Sequence, residues 1–180
     1  MYGIVNKAIK DLVVTNYGEE SWKQICRKAG FFEEDFMGMS PYPDKLTYDL
    51  VMAAAELLKV EPSAVLELFG EHWILYTAEG GYGDIIRMTG ETFPEFLSNL
   101  DFLHDRIQNV MPELRPPLFT TRNETDRSIE IEYRTHRSGL SPMVIGIIRG
   151  TGKRFGLTVQ VEQIAQKSEQ QECDVFRVTW

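Results

Sequence analysis

A histidine stands inside the apolar stripe of a segment that the sequence marks as helix, and no other feature constrains the fold of this chain as tightly. Over Thr92 to Met111, TFPEFLSNLDFLHDRIQNVM, the residues Phe93, Phe96, Leu97, Leu100, Leu103, Ile107, Val110 and Met111 recur at helical spacing, with His104 among them. Thr92 with Glu95 three residues on has the pattern of a capping box, Pro94 falls in the first turn where its missing N–H costs nothing, and Pro112 closes the run. The expectation is one helix of about five turns. An imidazole turned to a core needs a partner, either a backbone carbonyl or a metal such as a haem iron, and nothing within the helix decides between them.

A chain of 180 residues with 43% hydrophobic content can bury the core of a single domain. We expect two lobes within it, a helical one over residues 1–62 and an α/β one over 63–180. The formal net charge of -8, with no basic stripe, argues against nucleic acid, whose phosphates such a surface repels. No stretch approaches the length of a membrane span, and Met1-Tyr2-Gly3-Ile4-Val5 opens without the regions of a signal peptide, so a cytoplasmic protein is expected. Cys26 and Cys173 are single and far apart, which implies neither a metal knuckle nor a disulfide framework.

Read along its length, the first half is helical. Ile4, Val5, Ala8, Ile9, Leu12 and Val13 form a stripe ending at Gly18, and Trp22, Ile25, Cys26 and Ala29 a second one ending at Gly30. After an irregular stretch from Phe31 to Asp44, helices are expected over Thr47 to Val60 and from Pro62 through Tyr76, with a break at Gly80 to Gly83 and a short helix through Ile85 and Met88. Beyond Pro112 the period changes: an extended Arg115-Pro116-Pro117-Leu118, alternation from Ser128 to Arg137, a helix from Leu140 to Phe155, and strands over Leu157 to Ile164 and Asp174 to Trp180. The fold class is α+β, with a helical N-terminal part followed by a four-stranded antiparallel sheet with helices.

The segment SIEIEYRTHR carries the second constellation. Strict alternation puts Ile129, Ile131, Tyr133, Thr135 and Arg137 on one face, so that an apolar face ends in three hydrogen-bond donors about 7 Å apart at ~3.3 Å per residue. Arginine offers a planar fork and the two hydroxyls shorter donors, a set suited to a carboxylate or phosphate; the bland alternative is a strand end whose Arg137 pairs with a surface acid. A haem joins both constellations, because its ring wants an apolar slot, its iron an imidazole and its propionates charged donors.

At these residues the chain resembles the H-NOX family, the haem nitric oxide/oxygen binding domains, which include the haem domain of the soluble guanylate cyclase beta subunit and free-standing bacterial proteins. The resemblance covers essentially the whole chain and rests on MYGIVNKAI at the start, LDFLHD around His104, RPP at Arg115 to Pro117, and Tyr133, Thr135 and Arg137, which match the family's Tyr-x-Ser-x-Arg with threonine in place of serine. It implies a b-type haem in the 63–180 lobe, buried between the lobes, with His104 as proximal iron ligand, Tyr133, Thr135 and Arg137 on the propionates, and Pro117 pressing on the ring.

The resemblance also bears on the gas. Members that bind O2 carry a distal tyrosine just after the propionate motif, whereas Ser138-Gly139-Leu140-Ser141-Pro142-Met143 has none, and Pro142 stands at the aligned position. A distal wall of Val5, Trp73, Met143 and Ile147 then favours NO and CO over O2, although the Trp73 N–H and the Ser141 hydroxyl remain possible donors. The expected role is a sensor, not an enzyme, signalling to a fused or separate histidine kinase or cyclic nucleotide enzyme when the iron–histidine bond weakens. An O2 sensor or haem carrier of the same fold is the alternative, and a peroxidase the rival class. A peroxidase needs a distal acid/base pair, for which only His72 and His136 are available.

Overall fold

The computed structural model describes residues 1–32, 35–80 and 83–180. Its elements follow in the order α1 (Gly3–Ala29), α2 (Asp44–Leu58), α3 (Pro62–Glu79), α4 (Gly83–Arg87), α5 (Phe93–Ser98), α6 (Leu100–Gln108), β1 (Leu118–Arg122), β2 (Ser128–Arg134), α7 (Ser141–Arg154), β3 (Gln160–Ala165) and β4 (Asp174–Thr179). The break expected at Gly80 to Gly83 lies partly outside the described residues. So does the irregular stretch from Phe31 to Asp44.

The four strands form one antiparallel sheet in the order β1-β2-β4-β3, as the alternating pattern requires. Ile129, Ile131 and Tyr133 of β2 turn inward with Phe119, Phe176 and Val178, against Phe93, Phe96 and Leu97 of α5 and Val144 and Ile148 of α7. The opposite face carries charge: Arg122 bridges Glu130 and Glu132, and Arg177 also reaches Glu130. A second core joins α1, α2 and α3 through Ile9, Val13, Ile25, Leu50, Val51 and Phe69. No helix among the described residues is long and apolar enough to cross a membrane. Cys26 and Cys173 are free and buried, and burial, opposed by Lys10, pushes the Cys26 thiol up to about 11.

The break expected at Gly18 is present: Gly18 takes φ 82 and ψ 165 and kinks α1 between its two helical runs. Two departures from the sequence reading matter for the site. The single helix expected over Thr92 to Met111 is instead two, α5 and α6, broken at Asn99 (φ -101, ψ 9). There the Asn99 side-chain amide donates to the Thr89 carbonyl at 2.8 Å, an interaction that competes with helix. The Thr92 hydroxyl does accept from Glu95 N, but the Glu95 carboxylate takes the Glu91 N–H rather than returning to Thr92.

The second departure is that β2 ends at Arg134, not Arg137. Its partner strand begins at Leu118, paired with Arg134, and the residues before it are Pro116 and Pro117. Proline has no N–H to extend the ladder, so Thr135, His136 and Arg137 leave the strand. Within that bend the Thr135 hydroxyl accepts from the Arg137 N–H at 3.2 Å.

Candidate functional site

Where α1, α3 and α7 face α6 and the segment leading into β1, the protein leaves a partly open cavity of about 240 Å³. Its wall is mainly apolar, and it is lined by each residue expected to ligate the iron, hold the propionates, press on the ring or form the distal wall: Val5, Trp73, His104, Pro117, Tyr133, Thr135, Arg137, Met143 and Ile147. Thus the helix histidine and the three strand-end donors, 29 or more residues apart in sequence, open on one space. Val110 of the predicted stripe is exposed and does not contribute.

His104 sits in the second turn of α6 with its ring beside Phe119, centroids 5.8 Å apart and 29° between planes. Its Nδ1 is buried and makes no hydrogen bond of ordinary geometry. Burial holds the imidazole below its ordinary pKa, while Asp101, the Pro117 carbonyl and Asp105 pull the other way. A neutral imidazole is the form that offers a lone pair to a metal; with Nδ1 shut off from solvent and the Pro117 carbonyl beside the ring, the nitrogen left to take a ligand in the cavity is Nε2.

The depressed value has a consequence of fixed sign. Below the ordinary value of 6.5 the unfolded chain binds a proton that the folded chain resists, so the haem-free protein loses stability as pH falls from 6.5 towards the lower folded value. An NMR titration of the His104 ring is expected to place its midpoint below 6.5. The unfolding temperature should drop over the same window, and His104→Leu should remove that part of the pH dependence.

The donors at the other side of the site already hold a carboxylate. The Arg137 guanidinium grips Asp44 through Nε at 2.7 Å and Nη2 at 3.4 Å, and its Nη1 donates to the Arg115 carbonyl at 2.9 Å. The Met1 ammonium pairs with the same carboxylate. Burial works to raise the Asp44 carboxyl, but Arg137 and the Met1 ammonium outweigh it and hold it below the usual range. Burial pushes the Tyr133 phenol up to about 12, against a hydrogen bond from Thr135, so it remains a donor at neutral pH.

Sequence reasoning missed several residues that shape the site. Asp44 is 93 residues from Arg137, and no local pattern announces the pair. Asp101 accepts from the Phe119 N–H at 2.8 Å and so ties α6 to the chain just after Pro117. Its place in the first turn of α6, where an acid suits the helix dipole, was the available signal. Thr77 also lines the cavity, but its hydroxyl is committed to the Trp73 carbonyl at 2.7 Å.

The candidate donors and acids elsewhere sort out plainly. The Ser141 hydroxyl donates to Asp174 at 2.8 Å. Of the other histidines, His136 is exposed, and His72 faces Asp11 at 2.9 Å between α3 and α1; neither lines the cavity.

An apolar slot, a neutral imidazole and a carboxylate-gripping arginine define an α+β domain of the haem-binding class. The chain belongs to the haem-NO-binding, or H-NOX, family, whose model, described as "Haem-NO-binding", matches residues 2–163. It is 34% identical over 175 residues to the soluble guanylate cyclase gcy-32 of Caenorhabditis elegans, a match covering 93% of this chain and 25% of that protein. With soluble guanylate cyclase 89Db of Drosophila melanogaster it shares 28% identity over 155 residues, 86% of this chain and 23% of that one. The chain therefore spans about a quarter of the length of these curated relatives.

Solved structures carry the same fold. An H-NOX protein from S. oneidensis in the Fe(II)NO ligation state superposes with a TM-score of 0.89 at 17% identity, covering 99% of this chain and 98% of that one. The Fe(II) unliganded H-NOX protein from K. algicida superposes with a TM-score of 0.83 at 18% identity, covering 99% and 96%.

Proposed function

We propose that this chain is a gas sensor that binds b-type haem, takes NO and CO, and excludes O2. The observation that carries the reading is the cavity shared by the His104 imidazole and the donors Tyr133, Thr135 and Arg137. His104 would hold the iron, and the three donors would take the propionates, with Arg137 exchanging or sharing its grip on Asp44. Pro117 presses against the ring from the His104 side. Bound haem supplies the ferrous iron at which a gas is captured.

Selectivity follows from which donors are free. The Thr77 and Ser141 hydroxyls are both committed within the fold, so Val5, Met143 and Ile147 present hydrocarbon to the gas. Such a wall gives bound O2 no donor for its partial negative charge. An O2 sensor is the second reading, favoured by Trp73, whose indole N–H lies on a side chain of the same wall.

His104 acts as a tether. Without that hold α6 would be free to shift together with the Asp101–Phe119 link to β1, which would change the surface shown to a partner. Treating residues 1–62 and 63–180 as the bodies that move extends this reading. The partner is a histidine kinase or cyclic nucleotide enzyme, fused or separate, and the chain itself does no chemistry on a substrate. It functions in the cytoplasm.

The test is spectroscopic. Reduced, haem-loaded protein is expected to bind CO and NO, to show a five-coordinate Soret band with NO, and to oxidise in air without reversible O2 uptake. Reversible uptake of O2 that is lost in Trp73→Phe would establish the second reading. A Soret band that stays six-coordinate under excess NO would overturn the release of His104.

A further inference from the structure

Two of the three clamp donors stand beyond the end of β2, in the connection 135–140 that leads to α7. No strand ladder places them there, so their position is set by side chains. The Lys167 ammonium, from the turn between β3 and β4, donates to the Thr135 carbonyl at 2.6 Å. The Lys167 backbone N–H in turn donates to Asp174 Oδ1 at 2.7 Å, which also accepts from the Gln163 side chain at 3.0 Å. The other oxygen of Asp174 accepts from the Ser141 hydroxyl at 2.8 Å, on the first residue of α7.

Asp174 is 6% exposed and sits directly across from Tyr133 in the β2–β4 register. A carboxylate so buried is tolerated only when donors surround it, and three do. Their arrangement is informative. One carboxylate reaches the start of the 135–140 connection through Lys167 and its end through Ser141. It therefore sets the spacing between the clamp and the helix that presents Met143 and Ile147 to the cavity. Neither attachment is needed for folding as such: Lys167 is exposed, and water can serve both the Thr135 carbonyl and the Ser141 hydroxyl, which lie on partly exposed residues.

We propose that Asp174 and Lys167 are positioning residues for the carboxylate clamp, holding its Thr135 end in place from behind and locking that end in register with the distal helix α7. The proposal rests on reading Tyr133, Thr135 and Arg137 as that clamp. It adds a device the strand alone lacks, since β2 orients only Tyr133, Asp44 and the Arg115 carbonyl hold the Arg137 guanidinium, the Tyr48 hydroxyl holds the Ser138 carbonyl, and the β3–β4 turn fixes Thr135.

The experiment uses the full chain, haem-free and haem-loaded, with Lys167→Met, Lys167→Arg, Ser141→Ala and Asp174→Asn. In the haem-free protein, amide hydrogen exchange over residues 135–139 is expected to rise about tenfold in Lys167→Met, with exchange in β2 and the unfolding temperature unchanged. Lys167→Arg restores the wild-type pattern. Ser141→Ala raises exchange at the 139–142 end instead. Asp174→Asn raises it at both ends; should that variant fail to fold, the Lys167 and Ser141 variants decide the matter.

In the loaded protein, haem release to an apoprotein acceptor is expected to be about tenfold faster in Lys167→Met, within the range that removal of supporting contacts produces, with the Soret position unmoved. Unchanged exchange at 135–139 in Lys167→Met would overturn the proposal, and so would raised exchange with unchanged haem release. If wild-type protein takes up no haem, the functional reading fails, while the exchange measurement still decides whether Lys167 and Asp174 hold the bend.

Discussion

His104→Gly is expected to lower haem affinity by at least about 100-fold, more than the loss typical of a supporting residue, and added imidazole is expected to restore both haem retention and a ligated ferrous spectrum. The space left by the side chain opens on the cavity, so a free imidazole has a route to the vacated position. The companion substitution moves stability the other way. Because the His104 ring is buried and the Pro117 carbonyl beside it gives Nδ1 only a hydrogen bond of poor geometry, His104→Leu should stabilise the haem-free protein by about 1 kcal/mol, the low end of the cost of a buried unsatisfied polar group, while abolishing haem binding. Thermal unfolding of the two haem-free proteins checks this. A leucine variant less stable than wild type would mean that the histidine is satisfied after all.

Among the described glycines, Gly146 leaves the least room for a methyl group, and Gly146→Ala should be strongly damaging. A Cβ at Gly146 of α7 would lie 2.0 Å from the Glu67 carbonyl oxygen and 3.0 Å from the Glu71 N of α3, both backbone atoms that cannot rotate away. Gly70 meets α7 in the same manner, at 2.2 Å from the Met143 carbonyl oxygen. Alanine gains about 1 kcal/mol of helix propensity over glycine, yet the two helices must separate, and overpacking of this kind costs roughly 1–3 kcal/mol or more.

A net loss of about 2 kcal/mol is therefore expected for Gly146→Ala. Gly150→Ala, where the nearest backbone atom is 2.9 Å away, should lose less. Gly38→Ala, whose nearest neighbour is the flexible Lys7 side chain at 4.0 Å, should be near neutral. Urea titration of the three variants orders them. Since α3 carries Trp73 and α7 carries Met143 and Ile147, the same separation should also widen the distal wall.

Much of the fold was legible because its signals are local. Period-two alternation in SIEIEYR marked an inner face that does turn inward, and proline and glycine marked most element ends. The failures have local causes as well. A polar residue on an amphipathic helix predicts no break, but the Asn99 side chain bonds the Thr89 carbonyl and ends α5 there. Alternation predicts strand through to Arg137, whereas the facing Pro116 and Pro117 deny it a partner.

By itself the sequence determined which residues could bind: one imidazole in an apolar stripe, and three donors alternating at the end of a strand, both written in spacings that a helix and a strand convert directly into faces. Only the tertiary structure decided that these open on one cavity, and that Asp44, Asp101, Lys167 and Asp174 hold the surrounding chain. The reason is that periodicity is a property of neighbours along the chain. Satisfaction of a buried polar group is a property of neighbours in space, and Asp44 meets Arg137 across 93 residues with no local pattern to foretell it.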